Sequence, residues 1–301
     1  MDRRAFMKTA CSVAAVSAVG LSGAPSFLAA EPPPLDMAAV RGGEPEVMFD
    51  QAMAAFGGMG KFVKKGDKVL VKPNIGWDVE PERGGNTNPK LVGRIIAHCL
   101  EAGAKEVTVF DHTCDPWRRT YQNSGIERAV KDAGGKIVSG DSEGYYQKVA
   151  IANGKRLAET QAHELFLGAD AVINVPVLKH HSSSQLSIGM KNLMGVVWDR
   201  GYWHRNDLHQ CIADFMSFKP PALTVVDAYL VMKQNGPRGV SRDDVALMKS
   251  LIVARDAVAA DAAAAKLFGA DPATIPHIQS AADMGLGTMD LSRLNISRII
   301  L

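Results

Sequence analysis

The sequence predicts an α/β fold, a doubly wound, mostly parallel sheet with helices on both faces, built as a single domain. Three observations predict it. Short runs rich in Val and Ile recur along the chain and are nearly continuous in apolar residues, as strands buried on both faces of a sheet require. Segments carrying helix start and stop residues lie between these runs. The two kinds alternate, which favours strand–helix–strand crossovers over hairpins. Length and composition agree. The chain has 301 residues, 47% of them hydrophobic and 22% charged, which is ordinary globular usage. An α/β domain can run to about 250 residues as one unit, and no linker interrupts this one.

Strands are expected at 68–73 (KVLVKP), 106–111 (EVTVFD), 136–139 (KIVS), 171–177 (AVINVPV), 223–227 (LTVVD) and 250–254 (SLIVA). The first expected helix, 89–102, opens with Asn88 as N-cap and Pro89 at its first position and stops at Gly103. Others are expected at 126–133 before Gly134, 207–218 before Pro220, 256–268 before Gly269 and 272–284 after Asp271.

Before the first run stands a leader. Asp2-Arg3-Arg4-Ala5-Phe6-Met7-Lys8 precedes a weakly apolar stretch that ends in Ala29-Ala30 and a run of prolines. A charged start, an apolar middle and small residues at the end make a secretory signal, and the paired arginines resemble the twin-arginine type. The expectation is a signal peptide at 1–30 cleaved after Ala30, a segment 31–59 leading in, and the α/β domain at 60–301. The twin-arginine export machinery is then a partner, the mature chain is periplasmic or otherwise extracytoplasmic and exported folded, and no membrane span remains after cleavage.

Three of the 34 basic residues (Arg3, Arg4, Lys8) and one of the 32 acidic ones (Asp2) fall in this leader, so the rest of the chain carries equal numbers of each sign. A neutral chain without blocks of like charge gives no electrostatic reason to bind nucleic acid. Cys99, Cys114 and Cys211 follow the leader, and no two are spaced as C-x-x-C, so zinc-ribbon and thioredoxin-like signatures are missing. An oxidising compartment would allow one disulfide among the three, while Cys99, inside a helical pattern, reads as core.

Ligands of open α/β sheets bind outside the carboxyl ends of the strands. The runs end in Lys72-Pro73-Asn74, Asp111-His112-Thr113, Lys179-His180-His181, Asp227 and Arg255-Asp256. Ionisable or amide groups therefore gather along one sheet edge. Long loops follow at 74–88, 195–207 and 232–244, and long loops in compact domains are disproportionately functional. In the second of them Trp198, Arg200, Tyr202 and Trp203 could form a lid or an aromatic wall.

Lys72-Pro73-Asn74, Asn174-Val175-Pro176 with Lys179 and His181, Lys191-Asn192-Leu193-Met194-Gly195, His204, Asp227 with Gly236-Pro237, and Asp256 with Ala259 and Asp261 occur in an order that resembles the family called domain of unknown function 362. The similarity spans roughly residues 60–290. It implies a fold and a site more than a reaction. Many relatives add a ferredoxin-like segment with cysteine clusters; this chain has none, so no iron–sulfur cluster is expected.

Lys72, Lys179 and Lys191 can surround a small anion such as phosphate or a carboxylate, since lysine offers a mobile point charge. Asn74 and Asn192 would orient it. His180 and His181 diverge in an extended segment, so one at most faces the site, and the resemblance favours His181. His181 or His204 would transfer a proton, with Asp227 fixing the tautomer. Asp111 and Asp256 read as helix caps at strand ends, and Asp261, inside the Ala-rich helix, as facing solvent. A divalent metal on His204, His209, Asp227 and Asp256 is the competing arrangement. No G-x-G-x-x-G, P-loop or G-x-S-x-G motif occurs, which removes the usual support for dinucleotide, nucleoside-triphosphate and serine-hydrolase chemistry. Two readings remain: an enzyme or enzyme-like binder of a small anionic molecule, and a non-catalytic accessory protein that holds a metal or metabolite.

Overall fold

The computed structural model describes residues 33–301; the expected signal peptide lies outside the described residues. In chain order the strands are β1 (Met37–Arg41), β2 (Lys68–Pro73), β3 (Glu106–Val109), β4 (Lys136–Ile137), β5 (Tyr146–Ala150), β6 (Glu159–His163), β7 (Ala171–Val175), β8 (Val177–His181), β9 (Gln185–Ser187), β10 (Leu223–Met232), β11 (Val245–Ala254) and β12 (Ile296–Ile300). The helices are α1 (Pro45–Phe56), α2 (Pro89–Glu101), α3 (Trp117–Asn123), α4 (Ile126–Asp132), α5 (Glu164–Leu167), α6 (Gly189–Asn192), α7 (Arg200–Arg205), α8 (Leu208–Met216), α9 (Ala257–Phe268) and α10 (Pro276–Asp283).

The main sheet runs β12-β1-β11-β10-β7-β2-β3-β4, with β8 and β9 attached beside β10. The stretch β10-β7-β2-β3-β4 is parallel throughout. Beyond it β11 pairs antiparallel to β10 and to β1, and β12 pairs parallel to β1. From β2 the chain builds outward through β3 to β4, then returns to place β7 on the other flank of β2 and continues to β10. The strand order therefore reverses between β2 and β7, and a crevice opens there at the carboxyl ends.

Strand residues alternate between two cores because the side-chain period of a strand is two. Val69, Val71, Val109 and Ile173 pack with Phe49 of α1, Ile95 of α2 and Val130 of α4. Leu70, Val172, Val226 and Ile252 face the other way, toward Phe215 of α8, Ala262 of α9 and Ile278 of α10. Both faces of the sheet are covered, as the near-continuous Val/Ile runs require.

Several boundaries differ from expectation for physical reasons. The segment 31–59 supplies a strand and a helix to the domain: β1 sits between β11 and β12, and α1 packs on one face. Its short Ala-rich run carries little strand propensity and is fixed by its neighbours. The run 171–177 breaks at Pro176, which has no N–H for the ladder, so β7 ends and β8 begins around it. The runs at 223 and 250 lengthen into a ten-residue antiparallel pair with a bulge between Ala228 and Leu230. No helix among the described residues is long and apolar enough to cross a membrane.

Asp256 caps α9 as expected. Its Oδ1 accepts from the N–H groups of Val258 and Ala259, and its Oδ2 accepts from Thr288. Asp261, by contrast, does not face solvent. α9 is buried almost all round, and the Asp261 carboxylate accepts from the N–H groups of Gly189 and Met190 at 2.7 and 3.0 Å. Asp256→Ala should cost about 1–2 kcal/mol by loss of the cap, lowering the melting temperature by roughly 2–8 °C in thermal unfolding followed by circular dichroism, with the site chemistry unchanged.

Candidate functional site

Each strand end that borders the crevice delivers a polar group. Lys72 closes β2, Asp111 follows β3, and Lys179 and His181 lie on β8. α6 brings Lys191 and Asn192 from the opposite side, and α7 brings Arg200 and His204. These surround a cleft of about 380 Å³ whose wall includes Asn74, Lys179, His181, Lys191, Asn192 and His204. Six of the eight residues expected from the sequence therefore line one cleft, and Lys72 lies just beneath it.

Lys72 is fully buried, with Nζ 3.0 Å from Asp111 Oδ1 and donating to Pro73 O at 2.6 Å. Burial lowers its pKa and the Asp111 carboxylate opposes that shift. The other carboxylate oxygen accepts from Ile75 N–H at 2.7 Å, so Asp111 ties β3 to the loop after β2. A Cβ on Gly195 would stand 1.8 Å from Asp111 Oδ1 and 2.7 Å from Lys72 Nζ. Only glycine lets that segment close over the ion pair.

Lys179 Nζ donates to Asn74 Oδ1 at 2.9 Å and to Gly85 O at 2.5 Å, and burial brings its pKa down to about 7. Lys191 is 7% exposed, and its amine has a single partner, the thioether sulfur of Met194 at 3.4 Å; burial brings it down to about 8. Arg200 donates to the carbonyls of His112 and Thr113 at 2.7 and 3.0 Å. Among the described residues, Lys179, Lys191 and Arg200 have no carboxylate within 4 Å, whereas Lys72 does.

Asn192 lines the cleft but is spent on the protein. It donates to Lys72 O and Asn174 Oδ1 and accepts from Lys72 Nζ and Asn74 Nδ2. Both amide hydrogens are committed, so it braces the floor of the cleft instead of orienting an anion. Of the adjacent histidines, His181 faces the cleft, while His180 Nδ1 accepts from Gly236 N–H at 3.1 Å. Burial, reinforced by Lys191 and Lys179, depresses His181 to about 2. His204 is lowered by burial, then by Lys191 and Arg200. Both rings stay neutral near pH 7.

Asp227 stands apart from this group. Its carboxylate accepts from the N–H groups of Asn88 and Tyr229, anchoring the start of α2, and burial raises it to about 6. It does not line the cleft and cannot fix a histidine tautomer there. The proposed metal set is dispersed as well: Asp256 caps α9, and His209 Nδ1 lies 3.1 Å from His277 Nδ1. No group of three or more His, Cys, Asp or Glu among the described residues is placed to hold a metal ion. Cys99, Cys114 and Cys211 are free thiols, the first and last of them buried.

The cleft also holds Asp111, His112, Cys114, Trp77, Trp198 and Arg200. Trp198 lies parallel to the His112 ring at 4.8 Å, forming the aromatic wall expected of its loop, while Trp203 is buried in the core. Asp111 was legible as a strand-end residue, but its pairing with Lys72 follows only from the β2–β3 register, in which Val71 stands opposite Val109. Nothing in the local sequence marks Cys114.

Known proteins resemble the chain in sequence and in fold. A thylakoid-associated protein of Synechocystis sp. is 29% identical over 238 residues, covering 76% of this chain and 72% of that one. A crystal structure of a Thermotoga maritima protein aligns with TM-score 0.48 and 15% identity over 75% of this chain and 60% of that one. The lactate racemase apoprotein of Thermoanaerobacterium thermosaccharolyticum aligns with TM-score 0.47 and 11% identity, over 83% and 57% respectively. This chain thus spans less than two thirds of either solved structure, and neither likeness bears on chemistry. Residues 69–266 match the family described as Domain of unknown function (DUF362). That match takes in the elements from β2 to α9 that build the cleft, and the chain belongs to this family.

Proposed function

We propose that this chain is an extracytoplasmic enzyme that binds a small anion, a carboxylate or a phosphate, in the β2/β7 crevice and moves a proton on it. One observation carries the reading. Lys179, Lys191 and Arg200 converge on one cleft, and among the described residues none of the three has a carboxylate within 4 Å. Burying cations without counter-charges is costly, and an anionic ligand supplies what the protein leaves out. A storage protein needs only the cations. Amines lowered to about 7 and 8 exchange protons near neutrality, and with the neutral imidazoles of His181 and His204 beside them they favour catalysis.

The leader supports export. Arg3 and Arg4 head a weakly apolar stretch that ends in small residues. Lysine keeps the charge but not the pair that the twin-arginine route reads. Changing both residues to lysine should therefore hold the chain in the cytoplasm on cell fractionation, and unchanged export would remove that route from the proposal.

A thermal-shift screen of inorganic phosphate and short carboxylates should raise the melting temperature, because a ligand that binds only the folded state stabilises it. For the best of these ligands, Lys191→Met should weaken affinity by roughly 10- to 100-fold, the equivalent of one charge-assisted hydrogen bond of about 1.5–3 kcal/mol. An unchanged affinity would place the anion elsewhere.

Affinity should also depend on pH with a defined sign. Anions bind the protonated amines, whose pKa values burial has lowered to about 7 and 8. Binding should be strongest below pH 7 and fall as pH rises through 8. At pH 8 titration calorimetry in buffers of different ionisation enthalpy should show proton uptake. Proton release would contradict this assignment.

A further inference from the structure

The three buried lysines of the site are not equivalent. Lys72 is held against Asp111, and its amine also donates to Pro73 O. Lys179 directs two hydrogens at the oxygens of Asn74 and Gly85. Both amines are engaged by oxygen acceptors, which hold them in place against the protein. Among the described residues Lys191 has no oxygen partner. Its one contact is the Met194 sulfur, a weak acceptor that does little to hold a proton on nitrogen.

The backbone that carries Lys191 is fixed. Asp261 holds the first two N–H groups of α6, and Asn174 Nδ2 donates to Gly189 O at 2.8 Å. The side chain is thus held over the cleft, with Arg200 and Lys179 as neighbouring cations and His181 and His204 on its flanks. A desolvated amine beside other cations, facing a ligand cleft, is the arrangement that activates lysine as a nucleophile toward carbonyl carbon.

From this geometry we propose that Lys191 forms a Schiff base with a short 2-oxo acid, whose carboxylate is held by Lys179 and Arg200. The inference rests on the anion-binding reading above and names its substrate class. The neutral amine attacks the ketone carbon. A C–N bond forms, the carbonyl π pair moves to oxygen, and the oxygen takes the proton that the Lys191 ammonium gave up on ionising, relayed by His204, to give a carbinolamine. His204 accepts the proton lost from nitrogen and returns it to the departing hydroxyl. Water leaves, and the nitrogen lone pair closes the C=N bond. The net change is ketone plus ammonium to iminium plus water, and no oxidant or second reactant is needed. An amine lowered by burial to about 8 leaves a fraction of Lys191 unprotonated near neutrality. The iminium then withdraws electrons from the neighbouring carbon, which is what proton transfer on the anion requires.

The test is reductive trapping. The full chain is incubated with pyruvate and cyanoborohydride at pH 7.5, and the products are read by intact mass and peptide mapping. The expected result is one carboxyethyl group per chain on Lys191, formed at least tenfold faster than on any other lysine and slowed by added propionate. Lys191→Arg, which removes the nucleophile, should lose that adduct in the same peptide mapping. Since this variant could misfold, the propionate protection of the unaltered chain stands as an independent readout. Adducts spread over exposed lysines, or unaffected by propionate, overturn the proposal. If propionate binds and no adduct forms on Lys191, the Schiff base falls and the anion site stands. If neither acid binds, both fall.

Discussion

Lys72 and Asp111 meet beneath the cleft, fully out of water, at the ends of two neighbouring parallel strands. Removing one partner of such a pair typically costs about 3–5 kcal/mol, because the other charge is left buried alone. Much of the site's geometry hangs on this contact. Asp111 also receives Ile75 N–H and so fixes the loop after β2, which places Asn74 under Lys179. Lys72 also reaches Asn192, which links α6 to the floor. Gly195 closes above the pair because no side chain fits there. One ion pair thereby registers two strands, a loop and a helix against one another.

With that pair settled internally, the remaining cations are left for something else. Lys179 is pinned by oxygens, Arg200 by two carbonyls, and Lys191 by little. Asp261 supports them from behind without entering the cleft, as a buried carboxylate whose two hydrogen bonds offset its desolvation. Charge is therefore arranged in layers. A neutralised pair lies at the bottom, a committed and an uncommitted amine above it, and neutral imidazoles at the flanks. That order disfavours a cation in the cleft, where the charge of Lys191 adds to the burial that keeps His181 and His204 unprotonated.

The fold was legible because parallel strands buried on both faces cannot hide their Val and Ile runs, and the strand ends followed from them. Alternation along an extended segment lets only one of the adjacent histidines face the site, and the family resemblance picks out His181. The misreadings share one cause, namely partners distant in sequence. Asp227 and Asp111 look alike from their neighbours, yet one is taken up by Asn88, 139 positions away, and the other by Lys72. Asp261 could not be assigned while the surroundings of α9 were unknown, and an alanine helix buried on every side shows no polar face to read. Asn192 looked like a ligand because amides serve ligands and scaffolds equally well. β1 and β12 escaped notice because short segments owe their conformation to the strands they join.

The wall of the cleft has an optical consequence. Trp198 lies flat against His112, and Trp77 also lines the cleft, whereas Trp203 is sealed in the core. An indole stacked on an imidazole is sensitive to charge arriving beside it. A charged molecule entering this cleft would therefore alter the emission of tryptophans the protein already contains, with no dye needed.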